Sequence, residues 1–202
     1  VSDQPPQTLI ESTAAVFSST EGDLRAVMRH ILTSNEFMAS AGQKFRRPLD
    51  YLVAMMRVMN PGLQIENPLP LVYTLEGLGQ MPFYWHPPNG YPDAAGAWIN
   101  TGGLLNRWNL ALNLTLAGEG YFDGTALNIE AIVPMTYVTT VRELVDAASD
   151  RVLGGKVNDI DRDNLIAFVG ESGDQALTPD LYYTKLPGLL GLLFSSPYFQ
   201  WH

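Results

Sequence analysis

The chain has no cysteine. That excludes disulfides, thiolate nucleophiles and cysteine metal sites, and it leaves the redox compartment open. Histidine is scarce: His30, His86 and His202 are scattered, with no H-x-x-x-H pair to suggest zinc. Basic residues are few, 12 Lys and Arg against 21 Asp and Glu, for a net charge of −9. Such a balance argues against nucleic-acid binding, because no cation surplus exists to neutralise phosphates. It argues equally against docking on anionic lipid. Long apolar runs are missing too. The most apolar stretch, 186–194, is broken by Pro187, Gly188 and Gly191. It falls well short of the roughly 18 residues that a membrane span requires.

What is present suits a folded domain. The 202 residues are 46% hydrophobic with a mean hydropathy near zero, enough for one ordinary core. No signal-peptide pattern stands in the sequence. It opens on Val1, directly before a helix-forming segment, and reads as a fragment or a processed product.

Apolar spacing of three and four residues predicts helices along most of the chain. The first covers 7–18, with Leu9, Ile10, Thr13, Ala14 and Phe17 in phase. Asp23 caps a second, where Leu24, Val27, Met28, Ile31 and Leu32 form a stripe. Ser34 caps a short turn, 35–41. Pro48 opens a helix to Met59, with Leu49, Leu52, Val53, Met56 and Met59 inward. Further helices are expected over 70–79, from Asn100 or Thr101 with Leu104, Leu105, Trp108, Leu112 and Leu116 as the apolar set, and from Thr139 or Thr140 to Leu153. Others cover 159–169, 185–194 and 197–202. The segment 118–133 suggests a short strand or hairpin, and 170–179 a polar loop. The expected architecture is all-α: one irregular domain of about eight helices spanning 1–202, with a long ordered aromatic and proline loop.

That loop, 81–97, is the most distinctive feature. It carries Phe83, Tyr84, Trp85, His86, Pro87, Pro88, Tyr91 and Pro92, with Trp98 just beyond. Rings set among prolines make rigid amphipathic surfaces that stack on sugars, prolines or flat ligands. The same rings can instead plug helix ends, and a long ordered loop needs such anchors. The plug is the plainer reading, and recognition through Phe83, Tyr84, Trp85, His86, Tyr91 and Trp98 is the alternative. His86 as a general base requires a carboxylate orienter, and Asp93 is the nearest in sequence. Arg107 and Asn109, in the helix after the loop, are expected to brace it. Arg107 could meet Glu76 or the carbonyls of Gly90 and Asp93.

Other segments weaken on inspection. Asp159, Asp161 and Asp163 imitate the opening of a calcium loop, but Gly170 stands where the closing glutamate belongs. A helix start with favourably placed acids accounts for them. Residues 170–174 superficially imitate a nucleophile elbow without the second glycine or a preceding strand, and read as a turn. Lys44, Arg46 and Arg47 form the local basic run, expected to pair with a partner domain. No metal, no cofactor and no catalytic set is assigned.

Five segments occur in a telling order: DLRAVMRHILTSNEF, RRPLDYLVAMMRVM, LGQMPFYWHPPNGYP, AWINTGGLLNRWNLA and LLFSSPYFQ. In this order they resemble the C-terminal part of the bacterial family catalogued as domain of unknown function 1800. Tyr91 stands where that family usually has tryptophan, and Asn35 replaces a common proline. The resemblance implies a mostly helical exported protein, periplasmic or extracellular, with a further helical half before Val1. It also implies a sulfatase-like partner protein encoded nearby. It implies no established activity and supplies no catalytic residues. Two functions follow as expectations. One is a non-catalytic structural or interaction module docking on a partner or larger assembly through the aromatic loop. The other is half of an enzyme whose site is shared with the N-terminal half.

Overall fold

Where the sequence supplies a capping side chain, a helix starts. In the computed structural model, which describes residues 2–59, 65, 67–116, 128–155 and 157–202, Asp23 accepts from the Arg25 amide and opens α2 (Leu24–Leu32). Ser34 opens α3 (Asn35–Met38) in the same way. Thr140 and Glu143 form a reciprocal capping box at α7 (Val141–Leu153), which ends at Gly154 in the left-handed region, φ 72°. Asn158 opens α8 (Asp159–Val169) and Thr178 opens α9 (Pro179–Ser195). Each such cap satisfies a free helical amide and contributes about 1 kcal/mol.

The remaining elements are α1 (Gln7–Ser19), α4 (Pro48–Met59), α5 (Leu69–Gly77), α6 (Thr101–Leu116) and α10 (Pro197–Gln200), with short 3-10 turns at Ala95–Ala97, Ile129–Ala131 and Met135–Tyr137. The fold is all-α: ten helices and no strand occur among the described residues. The strand or hairpin expected over 118–133 falls largely on residues outside those described. Its described end is a 3-10 turn.

The long helix α9 is central and packs on α6, α7, α8 and α10. Its Leu186, Leu189, Leu190, Leu193 and Phe194 are buried. They meet Tyr51, Met55 and Met59 of α4, Leu110 and Leu114 of α6, and Leu144, Val145 and Ala148 of α7 in one apolar cluster. Gly191 permits the α6 approach: a Cβ there would lie 2.9 Å from the Leu112 side chain and 3.0 Å from Thr115 Oγ1. Pro187 sits inside α9, which runs about two turns further towards its N-terminus than the apolar run alone indicates. A helix-interior proline removes one hydrogen bond. The continuous burial on either side compensates.

Two buried faces differ from expectation. In α4 the inward set is Tyr51, Leu52, Met55, Met56 and Met59, while Leu49 is exposed and Val53 only half-buried. In α6 the inward set is Arg107, Leu110, Ala111, Leu114 and Thr115. The anticipated stripe of Leu105, Trp108, Leu112 and Leu116 lies on the exposed side. Apart from one row of asparagines, Asn106, Asn109 and Asn113, this helix is apolar, so periodicity alone does not choose which apolar side is buried. Contact with α9 does.

Two short pairings close the fold. Residues 44–46 run antiparallel to the C-terminus: Lys44 N donates to His202 O (3.0 Å), His202 N to Lys44 O (2.8 Å) and Arg46 N to Gln200 O (2.8 Å). The Phe45 and Trp201 rings meet edge-on at 5.2 Å. Near α7, Thr140 pairs with Ala176.

By contrast, α1 and α2 form a hairpin that packs mainly on itself. Leu9 is the buried residue of α1, and α2 buries none. Ile10, Phe17, Leu24, Met28, Leu32 and Met38 are all exposed.

Candidate functional site

The aromatic segment connects α5 to α6 over residues 78–100. Gly79 turns the chain out of α5 at φ 87°, and the Gln80 amide returns to Leu75 O at 2.8 Å. The buried Gln80 side chain then caps α4, accepting from the Leu49 amide at 2.8 Å. At the far end Asn100 caps α6 through the Gly103 amide.

Between these anchors the chain is held by its own rings. The Tyr91 hydroxyl donates to Met81 O at 2.7 Å. Trp98 Nε1 donates to Pro92 O at 2.9 Å, and Trp85 Nε1 to Asn89 Oδ1 at 3.2 Å. Three rings form a ladder: Trp98 to Tyr91 at 5.9 Å, and Tyr91 to Trp85 at 5.0 Å, both tilted. The ladder climbs from core to solvent. Trp98 is 8% exposed, Tyr91 half-buried and Trp85 39% exposed.

Past the ladder the rings leave the protein. Tyr84 is 66% exposed, and Phe83 is wholly exposed, at 105% of its reference area. Phe83 also takes φ 62°, the left-handed region that a bulky side chain normally avoids. Tyr84 and His86 lie 6.0 Å apart, both exposed. The rings are therefore more exposed than a plug requires. Trp98 alone plugs, and the turn at Phe83 projects outward.

An ion cluster pins the far side of the loop. Lys44 Nζ donates to Asp3 Oδ1 (2.7 Å), Asp93 O (2.9 Å) and Asp93 Oδ2 (2.8 Å). Asp3 Oδ2 accepts from the Ala95 amide at 2.6 Å. Hydrogen bonds from Lys44, then from Ala95, hold the Asp3 carboxyl below its usual range. Burial opposes charge on Lys44, but Asp3 and Asp93 outweigh it and raise its pKa. Arg47 pairs with Asp50 at 2.9 Å and reaches Asp93 at 3.6 Å. Two members of the basic run expected to pair with a partner domain, Lys44 and Arg47, are thus paired internally. Arg46, its third member, lies over the Phe199 ring at 4.6 Å. Asp93 is engaged with Lys44 and Arg47, and no hydrogen bond joins it to His86 among the described residues.

Arg107 does not brace the loop. It is 1% exposed, and its Nη1 donates to Gln200 Oε1 at 2.8 Å. Its guanidinium sits 4.6 Å from the Phe45 ring and 5.1 Å from the Tyr51 ring. The Tyr51 hydroxyl bridges Arg107 O and Phe194 O, each at 3.2 Å. Burial pushes the Arg107 pKa down to about 10. Its role is to tie α6 to the C-terminal segment, because the buried face of α6 packs on α9 and Arg107 reaches Gln200 just beyond that helix. Asn109 does not brace the loop either: it is exposed and lines a cleft between α5 and α6. Tyr91, Trp98, Lys44 and Asp3 do the bracing. Only the two rings were legible as candidates.

One arrangement escaped the sequence reading. Ser12 Oγ and His30 Nε2 lie 2.9 Å apart across the α1–α2 hairpin, 18 positions apart in the chain. Ser12 Oγ also lies 3.1 Å from Leu9 O, within its own helix. No carboxylate hydrogen-bonds His30 among the described residues. The pair is a cross-brace. At the start of α8, Asp161 accepts from the Tyr198 hydroxyl (2.7 Å) and from Asn158 Nδ2 (3.0 Å). Among the described residues no three His, Asp or Glu side chains converge on a metal position. Residues 170–174 follow directly on α8 and form a turn.

Fold and site together define an all-α protein with an ordered, outward-pointing aromatic arm, and with no assembled catalytic set among the described residues. The chain belongs to the family described as protein of unknown function (DUF1800), which matches residues 1–201. No curated protein and no solved structure matches it. No helix among the described residues is long and apolar enough to cross a membrane.

Proposed function

We propose that the chain is a non-catalytic interaction module that docks on a partner protein through its aromatic arm. Phe83 carries this reading. An apolar ring fully in water costs free energy, and so does a left-handed backbone under it. Neither cost is repaid inside this fold, while the loop around the ring is pinned by five side-chain anchors. Rigid presentation of a large ring is how interfaces place a central anchor at low entropic cost. The exposed apolar residues of the α1–α2 hairpin favour the same class of role, since monomers rarely expose such clusters.

The partner we favour is a sulfatase-like protein outside the cytoplasm, on family analogy alone. Its docking face would offer an apolar pocket for Phe83 with Tyr84 and His86 at the rim. Co-purification of the chain with that neighbour, followed by calorimetry, tests the proposal. The expected result is a complex that Phe83→Ala weakens by about thirtyfold or more. No complex, or equal affinity for the variant, overturns it.

A further inference from the structure

A second surface points to a ligand of a different kind. Between α5 and α6 lies an open cleft of about 390 Å³. Its wall is a row of three asparagines, Asn106, Asn109 and Asn113, and its rim is Tyr73, 63% exposed. Buried Leu78 and Leu110 form the floor. Among the described residues none that lines it carries a charge, on a strongly acidic protein.

The asparagine spacing, i, i+3 and i+7, sets all three amides on one helix face. Asparagine is a poor residue for a helix interior, where lysine, glutamate or glutamine would solvate a surface at less cost. A row of three is therefore not what solubility selects. Each amide presents donors and an acceptor side by side. Asn106 is already oriented, its Nδ2 donating to Gly77 O at 2.8 Å.

We propose that this cleft binds a neutral saccharide. Vicinal hydroxyls both donate and accept, so they match a row of carboxamides. A pyranose also has an apolar face, and the exposed Tyr73 ring gives it a surface to cover. The absence of lining charge disfavours phosphates, carboxylates and cations, which would lose hydration without a counter-charge. The volume falls in the range of small-molecule sites, roughly 300–1,000 Å³. This inference does not rest on the docking role of Phe83.

The test is a proton–nitrogen NMR titration of the 202-residue chain with cellohexaose, maltohexaose and chitohexaose. At least one probe is expected to shift the side-chain amides of Asn109 and Asn113, with a Kd of roughly 1 mM or tighter. The double variant Asn109→Ala/Asn113→Ala should weaken binding by roughly tenfold or more. Its thermal unfolding should match or exceed that of the parent, because alanine is the better helix former. Tyr73→Ala should also weaken binding, and Phe83→Ala should leave it unchanged. Three outcomes each overturn the proposal: silence with all three sugars, binding that survives the double variant, or a neutral tetrapeptide that shifts the same amides more strongly than any sugar.

Discussion

Replacing Phe83 separates stability from docking. The ring is wholly exposed, so its removal forfeits no packing. The backbone at φ 62° costs a non-glycine residue roughly 1–2 kcal/mol, which Phe83→Gly recovers. Glycine adds unfolded-state freedom worth roughly 0.5–1 kcal/mol, which subtracts from the gain. The net is stabilisation of about 0–1 kcal/mol. For a chain of this size that raises Tm by about 0–4 °C. Phe83→Ala keeps the strained backbone and removes the ring, so its Tm should stay within about 1–2 °C of the parent. Circular dichroism melts of the three proteins at neutral pH give the comparison. A fall of more than about 1 kcal/mol in both variants would mean that the ring packs on the fold, and the docking argument would lose its basis.

The remaining expectations concern the frame. Gln200→Leu strips the buried Arg107 of its hydrogen-bond acceptor and should cost about 2–4 kcal/mol in a urea melt, while Arg107→Met, which removes the charge itself, should cost less; equal losses would refute the pairing. Gly191→Leu should destabilise by about 1–3 kcal/mol through overpacking against Leu112 and Thr115, and an unchanged melt would mean α6 and α9 can separate freely. Asp3 and Glu143 both have lowered pKa values, so their contributions are complete above the ordinary carboxylate range and vanish as pH falls through their depressed values. Lys44, with its pKa raised, contributes fully below its ordinary value and loses that contribution as alkaline pH passes its folded one. Asp3→Asn should remove part of the acid sensitivity, read as tryptophan fluorescence against pH; a profile identical to the parent's would show that Asp3 does not pin the loop.

Helices were legible because their starts are written locally. Asp23, Ser34 and Thr140 each announce a start, and Pro48 opens α4. The buried faces of α4 and α6 were less legible. Apolar residues cover α6 on either side of its asparagine row, and the choice between them rests on Gly191, which lies in a distant helix. The tie between Arg107 and Gln200 spans 93 positions and has no local signal. For the aromatic segment, composition indicated order, but not which rings face inward. Trp98 turns in because Pro92 O accepts its Nε1–H, whereas Phe83 turns out on a backbone conformation that no residue type there demands.

The hydrogen bond from Tyr51 to Phe194 joins residues 143 positions apart, and the pairing of Lys44 with His202 lies just outside it. Closing a loop of that length costs about 4 kcal/mol of chain entropy before the core returns any of it. Until the segment after α9 arrives, Arg107 lacks Gln200 and Phe45 lacks its pairing with Trp201. Assembly is therefore ordered in time. Helices with local caps can form during synthesis, but the centre stays open until residues 199–202 have been made. A product ending at Ser196 would retain every long helix and still lack Phe199, Gln200 and the β-bridge to Phe45. Such a product should be a target for proteolysis rather than a weaker version of the whole.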